Sequence, residues 1–131
     1  MSLRERQSLF AVLLAELIAW ISKQGWAVTL ADGSVDTPRK FRAEDGRVFW
    51  ATDAHHMPGS LHYQRLAQDL NLFVDGAWIS RASPVWAAIG EKWLSLHPDC
   101  SWGGDWDEDH RPFEPGEGDA NHFSIAFGGK K

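Results

Sequence analysis

The sequence predicts a small α+β domain, with two principal helices packed on an antiparallel sheet. Three observations carry this reading. Leu3, Phe10, Leu13, Leu14, Leu17, Ile18 and Ile21 recur at helical spacing, which marks an amphipathic helix over residues 3–24 that stops at Gly25. Residues 70–74 and 77–80 flank Asp75-Gly76, a pair suited to a two-residue hairpin turn with positive φ. Ser83-Pro84 then reads as the N-cap and first residue of a second helix. Val85, Ala88, Ile89, Trp93 and Leu96 form its expected buried stripe, and Pro98 ends it.

The other elements follow in chain order. Residues 26–30 alternate apolar and polar side chains and read as a strand closed by Asp32-Gly33. Residues 38–50 read as a loop or short helix, with Asp45-Gly46 turning into a short strand over 47–50. His55-His56-Met57-Pro58-Gly59 is a loop that delivers Ser60 and His62. In the strand that follows, Asp69, Asn71 and Phe73 share one face, and Leu70, Leu72 and Val74 share the other. Residues 101–118 are rich in Gly, Asp and Pro and read as one long loop, and ordered loops of that length are usually functional. Residues 122–127 make a last strand. One domain over residues 1–127 with a frayed tail at 128–131 accounts for all 131 residues.

Composition narrows the function. Eight tryptophans and the apolar fraction belong to a folded protein. The net charge of −5, with no basic stripe, argues against nucleic acid as a partner. Cys100 is the single cysteine, so no intramolecular disulfide framework and no cysteine-based zinc site is available. Residues 10–21 are apolar, but Glu16 interrupts them and Lys23-Gln24-Gly25 follows in place of a small-residue cleavage site. The stretch is also too short to span a bilayer. It reads as a core helix, with no membrane insertion, in a monomer made in the cytoplasm without a signal peptide.

Two histidines and an aspartate, His62, Asp69 and His122, are ligand types that a catalytic zinc accepts while a fourth position stays open. Seven residues of straight helix would part His62 from Asp69 by roughly 10 Å, and a strand by more than twice that. Residues 63–68 must therefore fold back.

Three motifs stand in order: Ser-x-His-x-x-x-x-Ala-x-Asp at 60–69, Trp-Gly-Gly-Asp-Trp at 102–106 and Asp-x-x-His-Phe at 119–123. Together they resemble the zinc peptidases that cut peptidoglycan stem peptides. That family holds the D-Ala-D-Ala carboxypeptidases and dipeptidases of the vancomycin-resistance type and the L-alanyl-D-glutamate endopeptidases used as phage endolysins. The resemblance runs from the first helix to His122. It implies one zinc per chain on His62, Asp69 and His122, at the edge of the sheet in a fold shared with Hedgehog signalling domains. Asp119 would serve as general base and acid. Ser60, Trp102 and Trp106 would meet the substrate, with the two tryptophans bracing the loop over the site. The phage-like features point to an L-alanyl-D-glutamate endopeptidase ahead of a D-Ala-D-Ala carboxypeptidase, acting on the cell wall after release or export.

The chain departs from that pattern at two places. Arg65 stands where the family has glycine, which calls for a different turn, as in a phage-type branch reading Leu-His-x-x-Arg-Leu-Ala-x-Asp-Leu-Asn-Leu-Phe. Asp36 stands where the family has an arginine that stabilises the oxyanion, which leaves Arg39, Arg42 or the zinc alone to polarise the carbonyl, with Arg39 named as the catalytic candidate. Asp36 also gives weight to a rival reading, a non-catalytic zinc-stabilised binding domain. Asp105, Asp107 and Asp109 alternate as in a calcium loop, but His110 occupies the position that needs glycine. A solvated acidic loop is the expectation there, and solvated loop histidines are the expectation at His55 and His56.

Overall fold

The computed structural model describes residues 1–31, 38–42, 44–52 and 60–131. Helix α1 (Leu3–Lys23) starts on a reciprocal cap that its apolar pattern does not announce. Ser2 Oγ accepts from Glu5 N at 3.1 Å, and Ser2 N donates to Glu5 Oε2 at 2.7 Å, satisfying donors that a helix start leaves free. Phe10, Leu13, Leu17 and Ile21 are its buried stripe. Gly25 takes φ +82° and turns the chain away.

Strands β1 (Ala27–Leu30), β4 (Ala67–Val74), β7 (His122–Ile125) and β6 (Cys100–Trp102) lie side by side in that order, all antiparallel. Strand β5 (Ala77–Ile79) joins β4 as a hairpin. Its turn is the one the sequence announces, with Asp75 and Gly76 both at positive φ. Leu72 pairs with Val28 on one side and Ile79 on the other, so β7 and β5 share the edge of β4 opposite β1. The described residues therefore form an α+β domain, two helices on a five-stranded antiparallel sheet. None of its helices is long and apolar enough to cross a membrane.

Several elements differ from expectation. Residues 38–42 are strand β2 (Pro38–Arg42), paired with β3 (Val48–Thr52) in a separate hairpin around Gly46. Cross-strand pairing overrides the weak strand preference of Arg39 and Lys40. Helix α2 (Trp86–Leu96) begins later than Ser83-Pro84 suggests. Trp86 N and Ala87 N reach back three residues, to the carbonyls of Ser83 and Pro84, and Ser83 Oγ accepts from Val85 N. The buried stripe is Trp86, Ile89, Gly90 and Trp93, with Ala88 exposed and Val85 and Leu96 half-buried. Ser101 and Trp102 lie in β6 and not in the loop. In the tail, Phe127 and Lys130 exchange backbone hydrogen bonds around two glycines at positive φ.

The core is aromatic where the layers meet. Phe10 of α1 meets Trp93 of α2 edge-on at 5.8 Å, and Trp93 meets Phe123 of β7 edge-on at 6.0 Å. Trp93 Nε1 donates to the carbonyls of Ser101 and Ser124 at 2.9 and 3.1 Å, fastening α2 to β6 and β7. Arg6 Nη1 reaches Asp99 Oδ2 at 2.6 Å and the Ala126 carbonyl at 3.0 Å.

Candidate metal centre

Asp69 and His122 are Cα partners across β4 and β7, so their side chains leave the sheet on one face. His62 comes from a short 3-10 turn, Leu61–Gln64, that the rest of the chain holds in place. Leu61 and Leu66 are buried on either side of it. Ser60 Oγ accepts from His62 N at 3.2 Å, and Gln7 Nε2 of α1 donates to the Gln64 carbonyl at 2.8 Å. Residues 63–68 thus fold back as the ligand spacing requires. The different turn expected at Arg65 does not occur. Arg65 sits in the left-handed region at φ 58°, ψ 38°, at a cost of roughly 1–2 kcal/mol for a residue with a Cβ.

The three side chains converge. His62 Nε2 lies 3.0 Å from His122 Nδ1 and 3.4 Å from Asp69 Oδ1, and His122 Nδ1 lies 3.2 Å from that same oxygen. Ligand atoms about 2.0–2.1 Å from a tetrahedral zinc stand roughly 3.3 Å apart, so this donor set fits zinc in both chemistry and spacing. His62 and His122 are buried and Asp69 is half-buried. Burial pushes the Asp69 carboxyl up, but hydrogen bonds to His122 and His62 outweigh it and hold the group well below the usual carboxylate range. The His122 ring is set by its neighbours, His62 at 4.9 Å and Trp106 at 5.1 Å between centroids. Its Nε2 is buried without a hydrogen-bond partner. The site lies between the two central strands, at the start of β7. Central strands hold their register from both sides, which fixes the ligand spacing better than an edge would.

Asp119 stands beside this triangle. Its Oδ2 is 3.9 Å from His122 Nδ1, and its side chain is 41% exposed. Its backbone is gripped by Gly103: Asp119 N donates to the Gly103 carbonyl, and Gly103 N donates to the His122 carbonyl. A Cβ at residue 103 would fall 2.1 Å from the Asp119 carbonyl oxygen, so this close approach requires glycine. The Trp-Gly-Gly-Asp-Trp stretch therefore has a physical meaning, as the shelf on which Asp119 and His122 rest.

The other expected site residues divide. Trp102 is fully buried, donates from Nε1 to the Ala120 carbonyl at 2.6 Å and has no face to offer a substrate. It braces the loop from beneath. Trp106 is half-buried against His122, at the site. Ser60 serves as the cap of the 3-10 turn. Arg39 pairs through its backbone with Ala51 in the β2–β3 hairpin, and its side chain lies outside the described residues. Arg42 is exposed at the end of β2. Asp36, His55 and His56 also lie outside the described residues.

Arg81 is the residue that sequence reasoning missed. Its Nη1 lies 3.3 Å from Asp119 Oδ1, and it lines an open depression of about 370 Å³ with Ser80, Ala82, Phe113 and Gly118. No motif marks it, because the approach of residue 81 to residue 119 is purely tertiary. No protein-family model, curated protein or solved structure matches the chain.

Proposed function

We propose that the chain is a mononuclear zinc peptidase acting on peptidoglycan stem peptides, in the fold class of the D-Ala-D-Ala peptidases and Hedgehog domains. The observation that carries this reading is the triangle of His62 Nε2, Asp69 Oδ1 and His122 Nδ1, with sides of 3.0–3.4 Å and a free carboxylate oxygen 3.9 Å from one corner. A closed structural site would use a fourth protein ligand. Among the described residues no fourth His, Cys, Asp or Glu joins the group, and Asp119 Oδ2 stands beside it at 3.9 Å from His122 Nδ1, where a proton carrier would serve.

When bound, zinc supplies Lewis acidity that acidifies water and polarises the scissile carbonyl. The chain's own residues do the rest. Asp119 takes the proton from the attacking water and returns it to the departing amine. Arg81 holds Asp119 Oδ1, so Oδ2 is the oxygen that faces His122. Trp106 packs against the His122 ring. The depression beside Arg81 gives the stem peptide a place to lie, and a guanidinium there suits a peptide rich in carboxylates. An L-alanyl-D-glutamate endopeptidase of the endolysin type is the preferred activity, with D-Ala-D-Ala carboxypeptidase as the alternative.

Two measurements test this. Purified chain should carry zinc near one per molecule by elemental analysis, and His62→Ala and His122→Ala should each lose most of it. The zinc-loaded chain should release fragments from purified peptidoglycan whose masses identify the bond cut. Full zinc with no cleavage of any stem peptide would leave the rival reading, a zinc-stabilised binding domain, to which Asp36 at the expected arginine position lends weight.

A further inference from the structure

The loop between β6 and β7 carries a second set of ligands, all oxygen. Asp105, Asp107, Asp109 and Glu117 each offer one carboxylate oxygen within 4.8 Å of the others. The solvated cluster expected here is half internal, with Asp105 0% exposed and Glu117 5%. A buried carboxylate needs partners for both oxygens, and each of these two has a partner for only one. Asp105 Oδ2 accepts from His110 N at 3.0 Å, and Glu117 Oε2 accepts from Asp107 N at 3.3 Å. Asp105 Oδ1 and Glu117 Oε1 are buried with no hydrogen-bond partner.

Among the described residues, Arg111, His110 and Lys131 are engaged elsewhere. Arg111 Nε spends its hydrogen bond on Asp109 Oδ2 at the exposed rim. The His110 ring faces Glu91 at 3.6 Å, and Lys131 Nζ is taken by the Trp106 carbonyl.

We propose that this loop binds one calcium ion, with Asp105 and Glu117 as buried ligands and Asp107 and Asp109 closing the outer side. The donor chemistry selects the ion. Anionic oxygens without nitrogen or sulfur suit a hard cation, and calcium takes them at about 2.3–2.6 Å, which puts opposite ligands about 4.6–5.2 Å apart. Magnesium, at about 2.0–2.1 Å, demands a tighter octahedron. The spacing agrees as well. Carboxylates stand at the first, third and fifth positions from Asp105, and a glutamate follows near the end of the loop, one residue later than in an EF-hand. His110, in the place usually held by glycine, makes the turn regardless, at φ 63°. Water completes the shell from the exposed Asp107 side. The ion pins the loop between Trp106, which packs on His122, and Asp119, two residues past Glu117. Its binding does not depend on the peptidase reading.

The test is calorimetric titration of calcium chloride into the zinc-loaded chain, in buffer cleared of calcium by chelating resin, with thermal melting alongside. One ion per chain is expected, with a melting temperature that rises with calcium. Glu117→Gln and Asp107→Asn should each weaken binding about tenfold or more. In calcium-free buffer Glu117→Gln should melt no lower than wild type, because it removes a buried, unmatched charge. A lower melt would make Glu117 a structural group and overturn its assignment. The exposed Asp107→Asn keeps the test valid should the buried variant fail to fold. No heat and no melting shift up to about 10 mM calcium overturns the site, since even weak calcium modules bind in the millimolar range. Undiminished binding in both variants, or tighter binding of magnesium chloride, overturns it equally.

Discussion

Asp119 holds its two carboxylate oxygens in different surroundings, one on the Arg81 guanidinium at 3.3 Å and the other 3.9 Å from His122 Nδ1. That asymmetry separates proton transfer from metal binding. Asp119→Ala should keep its zinc and its fold while kcat falls about 100-fold or more, the range of a general acid-base group. Wild-type turnover in that variant would remove Asp119 from the mechanism. Arg81→Ala should lower kcat with zinc content unchanged, and Arg81→Lys should recover part of the loss. A rise in KM with kcat intact would assign Arg81 to substrate binding instead. Its ion pair is exposed on both sides, so the melting temperature should barely move.

The element that decides the proposed metal centre is the turn over residues 60–66, which brings His62 beside Asp69 and His122. It works with Arg65 in a backbone conformation that glycine adopts freely and arginine does not. Arg65→Gly should therefore leave the zinc site intact and change stability by between zero and about +1 kcal/mol, the relief of strain being partly offset by a more flexible unfolded chain. Urea denaturation checks the sign, and a clear loss of stability would mean that the Arg65 side chain contributes more than its backbone costs. Gly90 and Gly103 are the opposite case. A Cβ at Gly90 would enter the Trp102 indole ring at 2.2 Å, and one at Gly103 would meet the Asp119 carbonyl. Helix α2 can lie on β6, and residue 103 can approach Asp119, only because those two positions have no side chain.

Across the whole molecule the layers are held by a continuous buried cluster running from α1 through Trp93 and Phe123 into β4. Cys100 lies inside it at 1% exposure, and burial pushes its thiol up to about 12. The native thiol should stay silent towards a thiol reagent at pH 8 and react fully once the chain is unfolded. Rapid reaction under native conditions would show that β6 opens locally. The raised value also fixes a sign. Between about 9, the ordinary value, and about 12, the unfolded chain loses a proton that the folded one keeps, so stability falls as pH rises through that range.

Local pattern alone determined much of this protein. The stripe of α1, the Asp75-Gly76 turn and the alternation along β4 each depend on residues within a few positions of one another, where spacing and backbone preference act directly. That residues 63–68 fold back after His62, bringing it to Asp69, was legible from their spacing. Long-range packing decided the rest. Whether residues 38–42 extend depends on a partner strand, and the later start of α2 and its buried stripe follow from how Trp86 and Trp93 seat against Phe123. Trp102 and Trp106 look equivalent in the motif, yet one is core and the other faces His122. Arg81 meets Asp119, and Glu117 meets Asp105, only after the sheet has closed. Burial and distance between residues remote in the chain are properties of the packed molecule, because no local interaction encodes which side chains the sheet will bring face to face.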